Sequence, residues 1–226
     1  MSNDHKKYPR YLITALLLAL GGFTLLAIGF LGVMRFVVSG ASQSYDERVL
    51  LAINAWSTPL LDTTMRTITD FGSVGVAAVV VIAALLYVRN HHTYRALFIV
   101  SAVGGAAILS VVLKLLFSRP RPDLWQHLVV EETFSFPSGH AIASSALAFS
   151  VMILLWRTRY RWLGVITGVV YMLTIGFSRM YLGVHYPTDI IAGWLVSAAW
   201  VLLVATMLWH RRQVRHAMKA LDDTTK

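Results

Sequence analysis

The chain has no cysteine among its 226 residues. That excludes a disulfide framework, a thiolate nucleophile and a cysteine-ligated metal, and it leaves the redox compartment undetermined. Charge is scarce as well. Asp, Glu, Lys and Arg make up 14% of the residues against 57% hydrophobic, and mean hydropathy is +0.63. An ordinary soluble domain carries about 25% charged residues, so the composition excludes that class and marks an integral membrane protein. Acidic residues are the scarcer sign, 11 against 20 Lys and Arg, for a net charge of +9. Those cations lie in short clusters between apolar runs rather than along one face, so no nucleic-acid partner is expected and the bilayer is the partner implied. Internal repeats, low-complexity tracts and interdomain linkers are also absent, and residues 1–226 read as a single membrane-embedded domain.

What the chain does have is six apolar runs, near 11–38, 72–88, 95–117, 138–156, 162–178 and 189–209. Crossing about 30 Å of hydrocarbon takes roughly 20 helical residues. The second and fifth runs are short for that, so their ends are expected to extend into polar flanks or to lie in thinner membrane. The expected fold class is all-α, a six-transmembrane-helix bundle. The tails, 1–10 and 212–226, read as disordered and cytoplasmic. Between the first two spans Leu50, Ile53, Leu60, Leu61, Met65 and Ile68 recur near a helical period with charges between them. One or two interfacial helices are expected there; a plain surface loop is the alternative.

Cations set the expected orientation, because short loops rich in Lys and Arg stay cytoplasmic. Thirteen of the 20 lie on one set of alternate segments: Lys6, Lys7 and Arg10, then Arg89 and Arg95, then Arg157, Arg159 and Arg161, then five beyond residue 210. Both termini are thus expected inside. Lys6, Lys7 and Arg10 before an apolar stretch also fit a signal peptide, but more than 25 apolar residues exceed a typical signal core, and a retained anchor span is expected.

Three short blocks place charge at the ends of these runs on the opposite side, where it is costly and marks function. The first is Lys114-x6-Arg121-Pro122. Pro120 and Pro122 stop the helix there, so both cations can converge. Arg offers a planar fork for phosphate oxygens and Lys a compact charge, a pair suited to a doubly charged oxyanion. Snorkelling to headgroups is the simpler account, adequate for Arg119 or Arg121 taken singly and less so for the deeper Lys114. Arg119, between the block's positions, is expected to matter far less than Lys114.

The second block is Pro137-Ser138-Gly139-His140, at the start of the fourth span. Free N–H groups and the positive helix end favour an anion there. Ser138 is a good N-cap and phosphate donor, Gly139 lets a phosphate approach the backbone, and His140 is a candidate proton donor. Alone, the tetrapeptide reads equally as a helix cap with a surface histidine. The third block is Ser178-Arg179-x5-His185-x3-Asp189. A carboxylate on one ring nitrogen fixes the tautomer and frees the other to attack, which makes His185 the nucleophile candidate and Asp189 its orienting partner. Arg179 brings a further guanidinium. A satisfied helix-start pair is the simpler reading of His185 and Asp189.

In this order and at these spacings the blocks, spanning residues 114–189, resemble the tripartite signature of the type 2 phosphatidic acid phosphatase family of membrane lipid phosphate phosphatases, with every signature position matched. The resemblance implies a histidine phosphatase without metal or other cofactor. His185 attacks phosphorus to give a phosphohistidine, Asp189 orients it, and His140 protonates the leaving oxygen and then assists water. Lys114, Arg121, Ser138, Gly139 and Arg179 hold the phosphate oxygens. The implied location is a cell membrane with the site facing outside. A site at that level suits undecaprenyl diphosphate, phosphatidylglycerol phosphate or phosphatidic acid, among which the sequence does not choose. Asp123, Glu131 and Glu132 read as a solvated loop. Three alternatives stay open: a lipid phosphotransferase using the same site; a vanadium haloperoxidase, which shares the signature but is soluble; and a transporter, whose charges should recur at midplane rather than gather at span ends.

Overall fold

Hydrocarbon cannot hydrogen-bond a backbone, so apolar runs of this length satisfy their own amides as helices. The computed structural model describes residues 7–224, with side chains described for 13–211 and 213. Among the described residues it is all-α, with eight helices: α1 (Lys7–Val38), α2 (Gln43–Asn54), α3 (Pro59–Asp70), α4 (Val74–Arg89), α5 (Thr93–Phe117), α6 (Gly139–Leu155), α7 (Arg161–Tyr181) and α8 (Pro187–Thr224). Six of these are the expected spans. Five segments are long and apolar enough to cross a bilayer; α6, with 17 residues, is the shorter sixth. At 1.5 Å per residue it is about 25 Å long, and α5, α7 and α8 pack around it.

The two expected interfacial helices are α2 and α3, which pack on α7 and α8 rather than forming a loose loop. Thr58 caps α3 by accepting from Leu61 N–H at 3.2 Å, and Pro59 occupies its first turn. The tails differ from expectation. Residues 7–10 are already helical, and α8 continues to Thr224. The segment 212–224 contains neither Pro nor Gly and is rich in Arg, Ala, Met, Lys and Leu, so nothing in it stops a helix that has already been nucleated. The remaining tail positions, 1–6 and 225–226, lie outside the described residues.

Apolar side chains gain little from leaving lipid for one another, so the bundle is held by close packing and by hydrogen bonds between helices. Its core joins Phe98, Ile99, Ala102 and Ala106 of α5 to Ile142 and Ala146 of α6 and Val201 and Val204 of α8. Across α6 and α8, Ser145 and Ser197 share a hydroxyl bond of 2.5 Å, a kind of contact worth about 0.6 kcal/mol in membranes. Helices α5 and α8 approach closely at Gly105. A Cβ on Gly105 would lie 2.3 Å from the Trp200 ring, whose Nε1–H donates to Ser101 O at 3.1 Å. Only a residue without a side chain fits there.

Candidate active site

The C-terminal ends of α5 and α7 and the N-terminal ends of α6 and α8 meet at one end of the bundle, and all three sequence blocks lie there. Helix α5 stops at Phe117 because Ser118 turns left-handed (φ 46°) ahead of Pro120 and Pro122. The chain then runs as a loop from 118 to 138 over the four helix ends. This loop brings Arg121, four residues past the helix, back beside Lys114. Lys114 Nζ donates to Thr133 Oγ1 at 2.8 Å, and Arg121 Nε donates to Thr133 O at 2.8 Å.

His185 lies in the turn between α7 and α8 and is 1% exposed. Its Nδ1 is 3.4 Å from Asp189 Oδ2, while its Nε2 is 3.2 Å from an Arg121 guanidinium nitrogen. An arginine can only donate, so Nε2 is the unprotonated nitrogen and Nδ1 carries the hydrogen directed at Asp189. Burial, reinforced by the cations of Arg179, Arg121 and Lys114, holds the His185 pKa well below its ordinary value of 6.5. The ring is therefore neutral at physiological pH. Asp189 is fully buried and its carboxylate is saturated with donors. Ser135 Oγ donates to Oδ2 at 2.5 Å, Tyr186 N–H donates to Oδ2 at 2.8 Å, and Arg119 donates to Oδ1 at 2.6 Å.

Ser138 caps α6 by accepting from Ala141 N–H at 3.4 Å, and its own N–H donates to Asp189 O at 3.1 Å, which ties the second block to the third. A Cβ on Gly139 would sit 3.3 Å from Ser110 Oγ and 3.9 Å from Lys114 Nζ, so the bare glycine keeps the first amides of α6 open beside the lysine. His140 follows in the first turn of α6. Arg179, Glu131, Lys114 and Arg121 are the charges that act on it.

Arg179 is almost wholly buried near the end of α7. One terminal nitrogen donates to Thr69 Oγ1 at 2.8 Å, the other is ion-paired to Glu131, and its Nε has no partner. Glu131 also pairs with Arg121 at 3.3 Å. Burial raises the pKa of such a group, yet the cations of Arg179 and Arg121 outweigh burial and hold Glu131 below the usual carboxylate range. An anion of the protein thus bridges two cations of the first and third blocks. Glu131, read from sequence as part of a solvated loop, is instead a member of the site.

The eight expected residues, Lys114, Arg121, Ser138, Gly139, His140, Arg179, His185 and Asp189, are all brought together. Arg119 departs from expectation. It does not reach toward headgroups but is 9% exposed, paired with Asp189 and with Asp46 of α2 at 2.8 Å. Asp46, Ser135, Thr133 and Glu131 are further site neighbours that the sequence reading passed over. For Asp46 a signal exists: with Leu50 and Ile53 it forms the buried face of α2 at i, i+4 and i+7. Among the described residues no three His, Asp or Glu side chains gather as a metal-ligand set.

The chain is similar to known proteins. The chain is 31% identical over 182 residues to phosphatidylglycerophosphatase B of Bacillus subtilis, covering 77% of this chain and 89% of that one. It is 30% identical to lipid A 4'-phosphatase of Bacteroides thetaiotaomicron, over 67% of this chain and 72% of the relative. The fold superposes on the crystal structure of a transmembrane PAP2-type phosphatidylglycerolphosphate phosphatase from Bacillus subtilis with a TM-score of 0.76 at 29% identity, covering 82% and 94% of the two chains. The sequence profile of the PAP2 superfamily matches residues 95–213, from the start of α5 past the last site residue. With more than half its length matched and its three blocks gathered at one end of a six-span bundle, this chain belongs to the PAP2 superfamily, among its membrane lipid phosphatases.

Proposed function

We propose that the protein removes the terminal phosphate of a membrane lipid by way of a phosphohistidine on His185. The observation that carries this reading is the unprotonated Nε2 of His185, backed through Nδ1 by Asp189 and faced by the Arg121 guanidinium. The Nε2 lone pair attacks phosphorus as the bond from phosphorus to the lipid oxygen breaks, and His140 gives that oxygen its proton. Water then attacks the phosphohistidine while His140 takes the water's proton. The P–N bond electrons return to His185 and phosphate leaves. Lys114, Arg121 and Arg179 balance the charge on the equatorial oxygens, and the bare Gly139 amide admits them closely. An incoming phosphate displaces Glu131 from Arg179 and Arg121, and it meets the Arg179 Nε that has no partner. An unsatisfied buried donor costs about 1–3 kcal/mol, a deficit that an anion removes.

The excess of cations on the segments at the opposite end of the bundle supports termini in the cytoplasm and a site at the outer face of a cell membrane. A lipid headgroup in the outer leaflet reaches such a site. The candidate substrates are phosphatidylglycerol phosphate, undecaprenyl diphosphate and phosphatidic acid, the first by similarity to the Bacillus subtilis relative.

Purified protein in detergent containing EDTA should release phosphate from at least one of these three lipids. The lysine and arginines here provide the charge that a divalent cation provides elsewhere, so the rate should not change with chelator. Release that stops in EDTA and returns with Mg²⁺ would overturn the metal-independent mechanism. Phosphate appearing only when an acceptor alcohol is supplied would turn the assignment to phosphotransfer.

A further inference from the structure

Arg119 sits between two wholly buried carboxylates on different parts of the fold. One guanidinium nitrogen donates to Asp189 Oδ1 at 2.6 Å and to Thr188 Oγ1 at 2.8 Å. The other donates to Asp46 Oδ2 at 2.8 Å and lies 3.4 Å from Ser42 Oγ. The guanidinium stacks over the Tyr186 ring, 4.0 Å from its centroid, so the plane cannot turn. Asp46 is fixed in its turn. Its Oδ1 accepts Thr188 N–H at 3.1 Å and its Oδ2 accepts the Thr188 hydroxyl at 2.7 Å. The cluster thereby joins helix α2, the 118–138 loop and the first turn of α8.

A buried cation between two buried anions is a poor device for stability alone, because well-packed apolar residues of similar volume serve as well or better. Its effect on geometry is specific. Ser135 and Tyr186 hold Oδ2 of Asp189, and Arg119, held in turn by Asp46, is the charged donor on Oδ1 that fixes the other end of the carboxylate. Its Oδ2 therefore stays toward His185 Nδ1. The hydrogen bonds of the two terminal nitrogens of Arg119 go to Asp189, Thr188, Asp46 and Ser42, and none of these goes to His185.

We propose that Arg119 and Asp46 are positioning residues for phosphoryl transfer. They act through Asp189 to keep His185 in the tautomer with hydrogen on Nδ1 and the lone pair on Nε2. This rests on the reading of His185 as nucleophile. Helix α2 thus takes part in the reaction's geometry through Asp46.

The test compares wild type with Arg119→Lys, Arg119→Gln and Asp46→Asn by ¹⁵N spectra of labelled histidine in detergent, with the His185 signals assigned by their loss in His185→Gln. Wild type should show one Nδ1–H tautomer at His185. Arg119→Gln should show a mixture, and Arg119→Lys an intermediate. In parallel, kcat should fall about 10²-fold in Arg119→Gln, less than the roughly 10⁴-fold known for loss of an orienting carboxylate, with KM within three-fold. Arg119→Lys should recover part of that loss. Asp46→Asn should lower kcat about ten-fold. Stoichiometric binding of a non-hydrolysable phosphonate analogue counts competent molecules, and the fraction should match wild type. A wild-type tautomer in Arg119→Gln, or a loss of kcat that tracks the competent fraction, would overturn the proposal. Should Arg119→Gln not fold, Asp46→Asn decides by the same spectra. Wild-type protein that releases no phosphate would refute the hydrolase reading, while the tautomer comparison would still decide this one.

Discussion

His185→Ala should insert and fold as the native chain does and yet release lipid phosphate at least about 10⁴-fold more slowly, because the group proposed to form the covalent bond is gone. The hydrogen-bond partner of Nε2 is the Arg121 guanidinium, which has no lone pair to offer. Elution volume and melting temperature in detergent check the fold, and a rate within ten-fold of native would remove His185 from the role. The same burial predicts a pH effect in the native enzyme. Because the His185 pKa lies well below 6.5, the neutral ring persists as pH falls. The acidic limb of kcat/KM should then begin below pH 6.5, once the substrate's own second ionisation is allowed for. A limb centred at 6.5 would mean that the ring titrates as an exposed histidine does.

Replacing His140 is the second large expectation. General acid catalysis contributes about 10²- to 10⁴-fold, and its share depends on how badly the leaving oxygen needs a proton. His140→Asn should therefore lower kcat/KM by about 10³-fold for a lipid phosphate with an alkoxide leaving group. For an aryl phosphate, whose phenolate leaves unaided, it should lower kcat/KM by less than about ten-fold. The measurement is a pair of kcat/KM ratios, since kcat/KM covers the chain of steps up to leaving-group departure. Equal losses for both substrates would assign His140 to phosphate binding instead.

The helices were legible because bilayer thickness and hydropathy dictate them, and ten of the twelve ends fall within three residues of where the runs predict, the exceptions being the start of α1 and the end of α8. Residues 7–10 and 212–224 were misread because they extend spans already nucleated: Pro9 falls in the first turn of α1, where its missing N–H costs no bond, and 212–224 contains neither Pro nor Gly. The eight block residues were legible because charge at the end of an apolar run stands out. The rest of the site was hidden for two reasons. Arg119 and Arg121 occupy near-identical local sequence, each before a proline, and only the path of the loop decides which one turns inward to Asp189 and which faces His185 Nε2. Glu131 sits beside Glu132 in a stretch with no periodicity, so nothing in the sequence separates the carboxylate that bridges two arginines from its exposed neighbour. Asp46 is different, since it continues the stripe of Leu50 and Ile53, and a carboxylate on an apolar stripe is a readable anomaly.

The crossing of Gly105 with Trp200 changes how variants of this chain should be interpreted. Gly105 stands nine residues before Lys114, about 13 Å along α5 at 1.5 Å per residue, and Trp200 stands eleven residues after Asp189 on α8. These two helices carry Lys114 and Asp189, and they meet between those ends at a contact that leaves no room for a Cβ on residue 105. An alanine at 105 forces the helices apart and shifts both functional groups together. In a genetic screen such a change would score as a loss of catalysis while lying nowhere near the chemistry, so a null phenotype in the middle of α5 marks a spacer between two reacting ends.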